Sequence, residues 1–244
     1  MKLPDPYADR TYRVLHTARD LTYFRVTEAE TDLHIGARRE LTQKARACVL
    51  DARAQIRGEI ELRPEFLSSL VPLAPSGGEP KIVLSMLEAG KLAGVGPMAA
   101  VAGAVAEYVG SALMKHSDEV IVENGGDIFL CGKRERIVAV HAGKSPLSGA
   151  LGIRVLPEGG LGVCTSSATV GHSLSFGHSD AAVTVSRDAA LADAAATALG
   201  NMVHRAEDIE KALETIMAIE GILGALVIIG DRLGAIGQIE LTAL

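Results

Sequence analysis

The hydrophobic pattern changes period about forty residues into the chain. The first 36 residues alternate between polar and apolar positions, and the stretches TYRVLH, LTYFRV and TDLHIG predict three short antiparallel strands. From Arg39 the spacing becomes that of an amphipathic helix, which is predicted to end near Gly58. Its apolar face comprises Leu41, Ala45, Cys48, Ala52 and Ile56.

The next segments are also predicted to be helical. RPEFLSSL suggests a short helix, residues 74–80 form a turn-rich loop, and KIVLSMLEAGKLAGVGP predicts a helix ending near Gly90. Pro97 suits the first position of a long helix that continues to about Lys115. That helix is rich in alanine and glycine, which favours close helix packing; alternatively, the glycine turn before Pro97 presents backbone N–H groups to a ligand phosphate.

The second half is predicted to consist mostly of strands. They are EVIVE, IFLCG, IVAVHAG, LGIRVL, GVCTSS and AAVTVS, with two closing strands around a Gly-Asp turn. Asp188 is a good N-cap for one intervening helix, and a second covers about residues 207–219. Because strands and helices occur in blocks, we predict an α+β fold with mixed or antiparallel sheets packed against helices. Residues 1–244 would form one domain, or two intertwined α+β halves.

Composition narrows the function classes. Hydrophobic residues make up 48% of the chain, which can bury a sizeable core, and the formal net charge of -6 argues against a nucleic-acid surface. Three cysteines without a CxxC pair favour a reducing compartment. The N-terminus lacks the apolar run of a signal peptide, and there is no run of 18 apolar residues. We therefore expect a soluble, cytoplasmic protein without a membrane partner.

A carboxylate and a hydroxyl stand one turn apart in an otherwise apolar helix. Asp193 and Thr197 are four residues apart in ALADAAATALGN, so they share one helix face. Such an oxygen pair suits Mg²⁺, which completes its coordination with water and substrate phosphate. The alternative is an exposed aspartate on an amphipathic helix.

Two polar segments precede this helix. NGGD is an ordinary hairpin turn, but its glycines also expose backbone groups near Asp127. The stretch CTSSATVGHSLSFGHSD is too polar for a core strand, and His172 and His178 are candidate general bases. An exposed polar loop is the alternative. The chain has no GxSxG, HExxH, GxxxxGK[ST] or GxGxxG motif.

Taken in order, these segments resemble the ApbE superfamily, whose type members are FAD:protein FMN transferases. The resemblance covers about residues 94–201, and the whole chain is more similar to a shorter, uncharacterised family of cytoplasmic ApbE-like proteins. It implies Mg²⁺ and FAD as cofactors, a small-molecule or nucleotide ligand, and a protein acceptor that supplies a threonine hydroxyl. The implied metal ligands are Asp193 and Thr197, and the implied nucleotide contacts are Gly125, Gly126, Asp127, Thr165, Ser166 and Ser167.

The resemblance is weakest where the acceptor would be handled. The type family has a stretch close to HxIIDPxTG, whereas this chain has GHSLSFGHSDAA, which supplies the candidate catalytic residues His172, His178 and Asp180. Three functions stay open: FAD-dependent FMN transfer, chemistry on another small molecule, and a non-catalytic accessory role in sulfur assimilation and homocysteine formation. The helix rich in small residues suits a homodimer as well as internal packing.

Overall fold

The computed structural model describes residue 18, residues 20–168 and residues 176–244. Two antiparallel sheets and a layer of helices make up this part of the chain. The strands are β1 (Thr22–Glu28), β2 (Thr31–Ala37), β3 (Val120–Asn124), β4 (Asp127–Cys131), β5 (Arg136–Ala139), β6 (Leu151–Val155), β7 (Leu161–Ser166), β8 (Ala181–Ser186), β9 (Ile222–Ile229), β10 (Arg232–Gly237) and β11 (Glu240–Ala243). The α-helices are α1 (Thr42–Leu62), α2 (Glu65–Ser68), α3 (Lys81–Ala93), α4 (Val101–Leu113), α5 (Ala189–Met202) and α6 (Ile209–Met217).

The larger sheet is central. Its strand order is β1-β2-β3-β4-β7-β8-β9-β10, and the smaller sheet has the order β11-β6-β5. Alternation along each central strand sends side chains to opposite faces. Val120 and Val122 pack with the helices, whereas Ile121 between them packs with the smaller sheet. The molecule thus has three layers: helices, the central sheet and the small sheet. The predicted α+β class is confirmed.

Most predicted elements are present, with changed limits. The strand predicted over residues 11–16 lies outside the described residues, whereas the next two are β1 and β2. Helix α1 does not end near Gly58 but continues to Leu62, and α3 passes Gly90 to reach Ala93. The actual stop is Gly94, whose φ of 72° lies in the left-handed region that glycine adopts without strain.

Two other predictions needed correction. The helix predicted from Pro97 begins with a 3₁₀ turn (Pro97–Ala100) before α4, and the chain closes with three strands rather than two. Among the described residues, no single helix is long and apolar enough to cross a membrane; α3 and the Pro97–Leu113 segment reach that length only together, across a bend of 106°.

Candidate functional site

Two helices hold each other through a reciprocal pair of hydrogen bonds. The backbone N–H of Gly103 in α4 donates to Asp193 Oδ2 in α5, at 2.8 Å. The backbone N–H of Ala189 in α5 donates to Glu107 Oε2 in α4, at 2.7 Å. Each acid lies four residues after the N–H donor of its own helix. Asp193 is therefore held at the first turn of α4, where unpaired N–H groups and the helix dipole favour negative charge.

Gly103 permits this contact because it has no side chain. A Cβ at this position would lie 2.1 Å from the Ala189 carbonyl oxygen and 2.8 Å from Asp193 Cβ. The prediction of close packing by the small-residue helix is thus confirmed. The alternative, that the glycine turn before Pro97 presents its N–H groups to a ligand phosphate, concerns other residues and stays a prediction.

The hairpin turn NGGD brings a second carboxylate to the same place. Asn124 pairs with Asp127 across the turn, and the φ values of Gly125 and Gly126 are 73° and 111°. The turn is fixed by Glu123, whose Oε1 accepts the Gly126 N–H at 3.0 Å. As predicted, the sequence forms a hairpin turn.

Asp127 and Asp193 interact electrostatically in the layer between α5 and the central sheet. Each is only 8% exposed. Burial raises the pKa of Asp127 well above its ordinary value, and the negative charge of Asp193 raises it further. Burial also raises the pKa of Asp193 to about 7, although N–H groups of Gly103 and Ala102 act in the opposite direction. The interpretation of Asp193 as an exposed side chain is therefore wrong.

No described basic side chain forms an ion pair with either acid. The thiol of Cys164, which is fully buried, interacts with Asp127. Burial raises the pKa of this thiol well above its ordinary value, and the two carboxylates raise it further. The neutral thiol donates to the Ala189 carbonyl at 3.5 Å. Two carboxyl groups whose ionisation is disfavoured thus share a buried space, and a cation between them would favour their charged forms.

The segment from Thr165 to Ser167, at the end of β7, contributes groups to both faces of the central sheet. The Thr165 N–H donates to Asp127 Oδ1 at 3.3 Å, while strand alternation places the Thr165 side chain on the face of Val163, away from α5. Ser166 faces α5, since a Cβ at Gly200 would lie 3.4 Å from its Oγ. That hydroxyl is buried without a hydrogen-bond partner among the described residues. Ser167 follows β7 and is half-buried.

Thr197 completes the helical pair. It lies one turn after Asp193 in α5 and is half-buried, in a helix whose other central residues are buried. The i, i+4 spacing places its hydroxyl on the side of α5 that carries Asp193. The described residues contain no group of three His, Cys, Asp or Glu side chains able to hold a metal. A metal at this site would need the threonine oxygen, water or ligand oxygens as well.

The predicted catalytic residues have their described contacts elsewhere. His178 is exposed, its Nδ1 lies 3.2 Å from the His204 carbonyl oxygen, and its ring meets the His204 ring edge-on. Asp180 Oδ2 accepts the Gly230 N–H at 2.8 Å, at the β9–β10 turn. His172 lies outside the described residues. Their catalytic role stays a prediction.

Sequence reasoning missed three members of the site. Glu107, Gly103 and Cys164 join Asp193 and Asp127 only after helices and strands distant in sequence have packed together. The one signal available was spacing: Gly103 and Glu107 are four residues apart, as are Ala189 and Asp193. Each pair has a small residue followed by an acid. This spacing is compatible with two helices in close contact.

Comparison with known proteins places the chain in a family. Residues 13–241 match a family model described as AbpE bacteria. A UPF0280 protein of Methanococcus aeolicus is 43% identical over 201 residues, covering 80% of this chain and 81% of the relative. Another, from Methanothrix thermoacetophila, is 39% identical over 220 residues, covering 89% and 92%.

Solved structures show the same fold at low sequence identity. The flavin transferase ApbE from Vibrio cholerae superposes with a TM-score of 0.60 at 12% identity, covering 89% of this chain and 96% of that one. The apo form of the Pseudomonas stutzeri flavinyl transferase ApbE gives 0.57 at 14% identity, covering 89% and 94%. The chain therefore belongs to the AbpE bacteria family and, with its UPF0280 relatives, to the ApbE-like superfamily.

Proposed function

We propose that this protein binds a phosphate-containing nucleotide together with Mg²⁺ at the two carboxylates, and that the nucleotide is FAD. The observation that carries the proposal is the convergence of Asp127 and Asp193, two buried acids from separate elements with no basic partner in the described part of the chain. Burial of an isolated carboxylate is costly, and a second carboxylate nearby increases that cost. A divalent cation would offset both.

The chemistry of the oxygen donors fits Mg²⁺. Asp193 accepts the Gly103 N–H through Oδ2, and because each carboxylate oxygen can accept more than one partner, Asp193 can still ligate a metal. Thr197 supplies a hydroxyl one turn along. Mg²⁺ commonly takes one or two carboxylates and fills its remaining positions with water and phosphate oxygens. When bound, Mg²⁺ would neutralise pyrophosphate charge and stabilise the charge that develops during phosphoryl transfer.

The remaining residues would bind and orient the nucleotide. The buried Ser166 hydroxyl lacks a partner and would gain one from a ligand oxygen or nitrogen. Gly125 and Gly126 keep the β3–β4 turn free of side chains, and a Cβ at Gly126 would lie 3.8 Å from the Thr165 carbonyl oxygen. Glycine here lets a flat ring approach the backbone closely.

The more specific proposal is transfer of FMN to a protein acceptor. Two proteins of this fold, from Pseudomonas stutzeri and Vibrio cholerae, are flavin transferases. In such a reaction the acceptor hydroxyl oxygen bonds to the FMN phosphorus, the bond from that phosphorus to the AMP oxygen breaks, and AMP leaves. The hydroxyl proton passes to a base, for which the exposed His178 is the described candidate.

The two reciprocal hydrogen bonds between α4 and α5 provide a matched pair of variants. In Asp193→Asn, the amide oxygen can still accept the Gly103 N–H, so the fold is kept while the charge is lost. Glu107→Gln removes a charge of the same sign from the other hydrogen bond, the one in which Glu107 accepts the Ala189 N–H. Isothermal titration of FAD, with MgCl₂ and with EDTA, should show Mg²⁺-dependent binding in the wild type and in Glu107→Gln. Asp193→Asn should bind without any Mg²⁺ dependence.

Two results would contradict the proposal. One is a well-folded wild type that binds no FAD in either buffer. The other is an equal response of the Asp193→Asn and Glu107→Gln proteins, which would assign Asp193 to helix packing alone. Release of AMP from FAD in the presence of a threonine-containing acceptor peptide tests the transfer step separately. Binding without AMP release would retain the nucleotide site and reject the transferase.

A further inference from the structure

Helix α1 has a carboxylate in the row that faces the core. The buried residues of this helix are Ala45, Val49, Ala52, Ile56 and Glu59. Their spacing of four, three, four and three residues is the apolar stripe of an amphipathic helix. Glu59 occupies the last position of that stripe and is only 7% exposed.

Glu59 differs from neighbouring acids in lacking a partner. Glu65 accepts from Arg63 Nε at 3.1 Å, and Glu79 accepts the Gly77 N–H at 2.9 Å. Glu59 makes no side-chain hydrogen bond or ion pair with any residue that the structure describes. The Glu59 side chain is thus largely enclosed, and its carboxylate is left for a ligand of opposite charge.

A cavity of about 750 Å³ lies directly beside this carboxylate. Its volume is within the range of small-molecule sites. Its lining includes the apolar residues Ala54, Leu62 and Pro80, of which Leu62 is 86% exposed. Gly77 and Gly78 also line the cavity, where they contribute backbone rather than side chains.

The charges around the cavity select a cation. The lining includes Glu59, Glu65 and Glu79 but only one basic side chain, Arg63, which already pairs with Glu65. These acids do not converge as a metal-binding group in the described part of the chain. An organic ammonium ion needs fewer acidic partners than a metal ion, because it donates up to three hydrogen bonds and has no fixed coordination geometry.

We infer that this cavity binds an organic ammonium ion, with its charged nitrogen at Glu59 and its hydrocarbon portion against Ala54, Leu62 and Pro80. None of the cavity residues belongs to the nucleotide site of α4, α5, β4 and β7. The two sites are therefore independent, and ligands can occupy both together.

Titration of the full chain with n-pentylammonium chloride tests the inference. Pentan-1-ol serves as the neutral ligand of similar shape. Glu59→Gln keeps the size of the side chain, and Glu61→Gln removes a charge from an exposed position two residues along the same helix. Isothermal titration should show binding of the ammonium ion but not of the alcohol. Affinity should fall about tenfold or more in Glu59→Gln, the loss expected for one charge-assisted hydrogen bond, and stay unchanged in Glu61→Gln.

Three outcomes would overturn the inference: no ammonium binding by the wild type, equal binding of pentan-1-ol, or equal affinities in the two glutamine variants. Circular dichroism establishes that each variant is folded. If Glu59→Gln does not fold, the comparison of ammonium with alcohol on the wild type still decides. Because FAD titration uses the other site, failure here leaves the proposed nucleotide binding unaffected.

Discussion

Replacement of Gly103 by alanine would force a methyl group into the contact between α4 and α5. The new Cβ would lie 2.1 Å from the Ala189 carbonyl oxygen and 2.8 Å from the carbonyl carbon. Both neighbours are backbone atoms at the start of a helix, so no side-chain rotation relieves the overlap. The helices must separate, and the hydrogen bond from the Gly103 N–H to Asp193 must lengthen.

The net change in the free energy of unfolding is the difference between the cost of overpacking and the gain in helix propensity. Overpacking of a tight contact costs about 1–3 kcal/mol, and a backbone contact belongs at the upper end. Alanine improves helix propensity by about 1 kcal/mol over glycine. We therefore expect Gly103→Ala to lower the free energy of unfolding by about 2 kcal/mol. For a chain of this length, 1 kcal/mol corresponds to about 2–4 °C in Tm, which gives a decrease of about 4–8 °C.

Gly58→Ala is the matched control, because Gly58 is also a helical glycine but a Cβ there meets nothing within 4 Å. With the propensity term alone, this variant should be about 0.5–1 kcal/mol more stable than the wild type. Guanidinium titration followed by far-UV circular dichroism measures all three proteins. If Gly103→Ala equals or exceeds the wild type in stability, the close approach of α4 and α5 is not as described.

Other substitutions test separate features. Asp188→Ala removes the side chain that accepts the Leu191 N–H at 2.9 Å, and thermal melting should show a loss of about 1 kcal/mol, as for other N-caps; an unchanged Tm would refute the cap. The Arg136 guanidinium lowers the pKa of Asp20 to about 2, so this acid stabilises the fold above its ordinary pKa of 3.8 and loses that effect as the pH falls toward 2. In urea titrations, Asp20→Asn should be about 1 kcal/mol less stable than the wild type near pH 6, after allowance for partial exposure, and the gap should close at low pH; a constant gap would contradict this. Ser166→Ala should keep or raise Tm, since the buried hydroxyl has no described partner, yet weaken FAD binding about tenfold, the value of one hydrogen bond; a marked loss of stability would show that the hydroxyl is satisfied within the protein.

The local pattern was enough to predict most elements but not their ends. The period-two stretches became β1 and β2, and the turn chemistry of NGGD predicted the β3–β4 hairpin. Helix α1 continued past Gly58 because nothing there opposes helix formation and the buried row extends to Glu59. Glycine stops a helix where the backbone turns left-handed, as at Gly94, and that conformation depends on the packing that follows.

The site was predictable only as separate parts. The i, i+4 spacing of Asp193 and Thr197 placed both on one side of α5, which follows from helix geometry alone. That Asp127 lies opposite depends on β4 pairing with β7 and on α5 crossing both, and these contacts join residues far apart in sequence. The same limit hid Glu107, whose partner Ala189 is 82 residues away.

Strand register determines which layer of the fold the Asp127 side chain enters. Strands β4 and β7 pair through only three residue pairs, Ile128 with Val163, Phe129 with Gly162, and Leu130 with Leu161. A shift of one residue in β4 would turn Asp127 toward the small sheet and expose its apolar neighbours to the wrong layer. The apolar side chains that fix this register thus also orient the Asp127 carboxylate. Selection for a well-packed sandwich and selection for the proposed nucleotide and Mg²⁺ site would act here on the same few side chains.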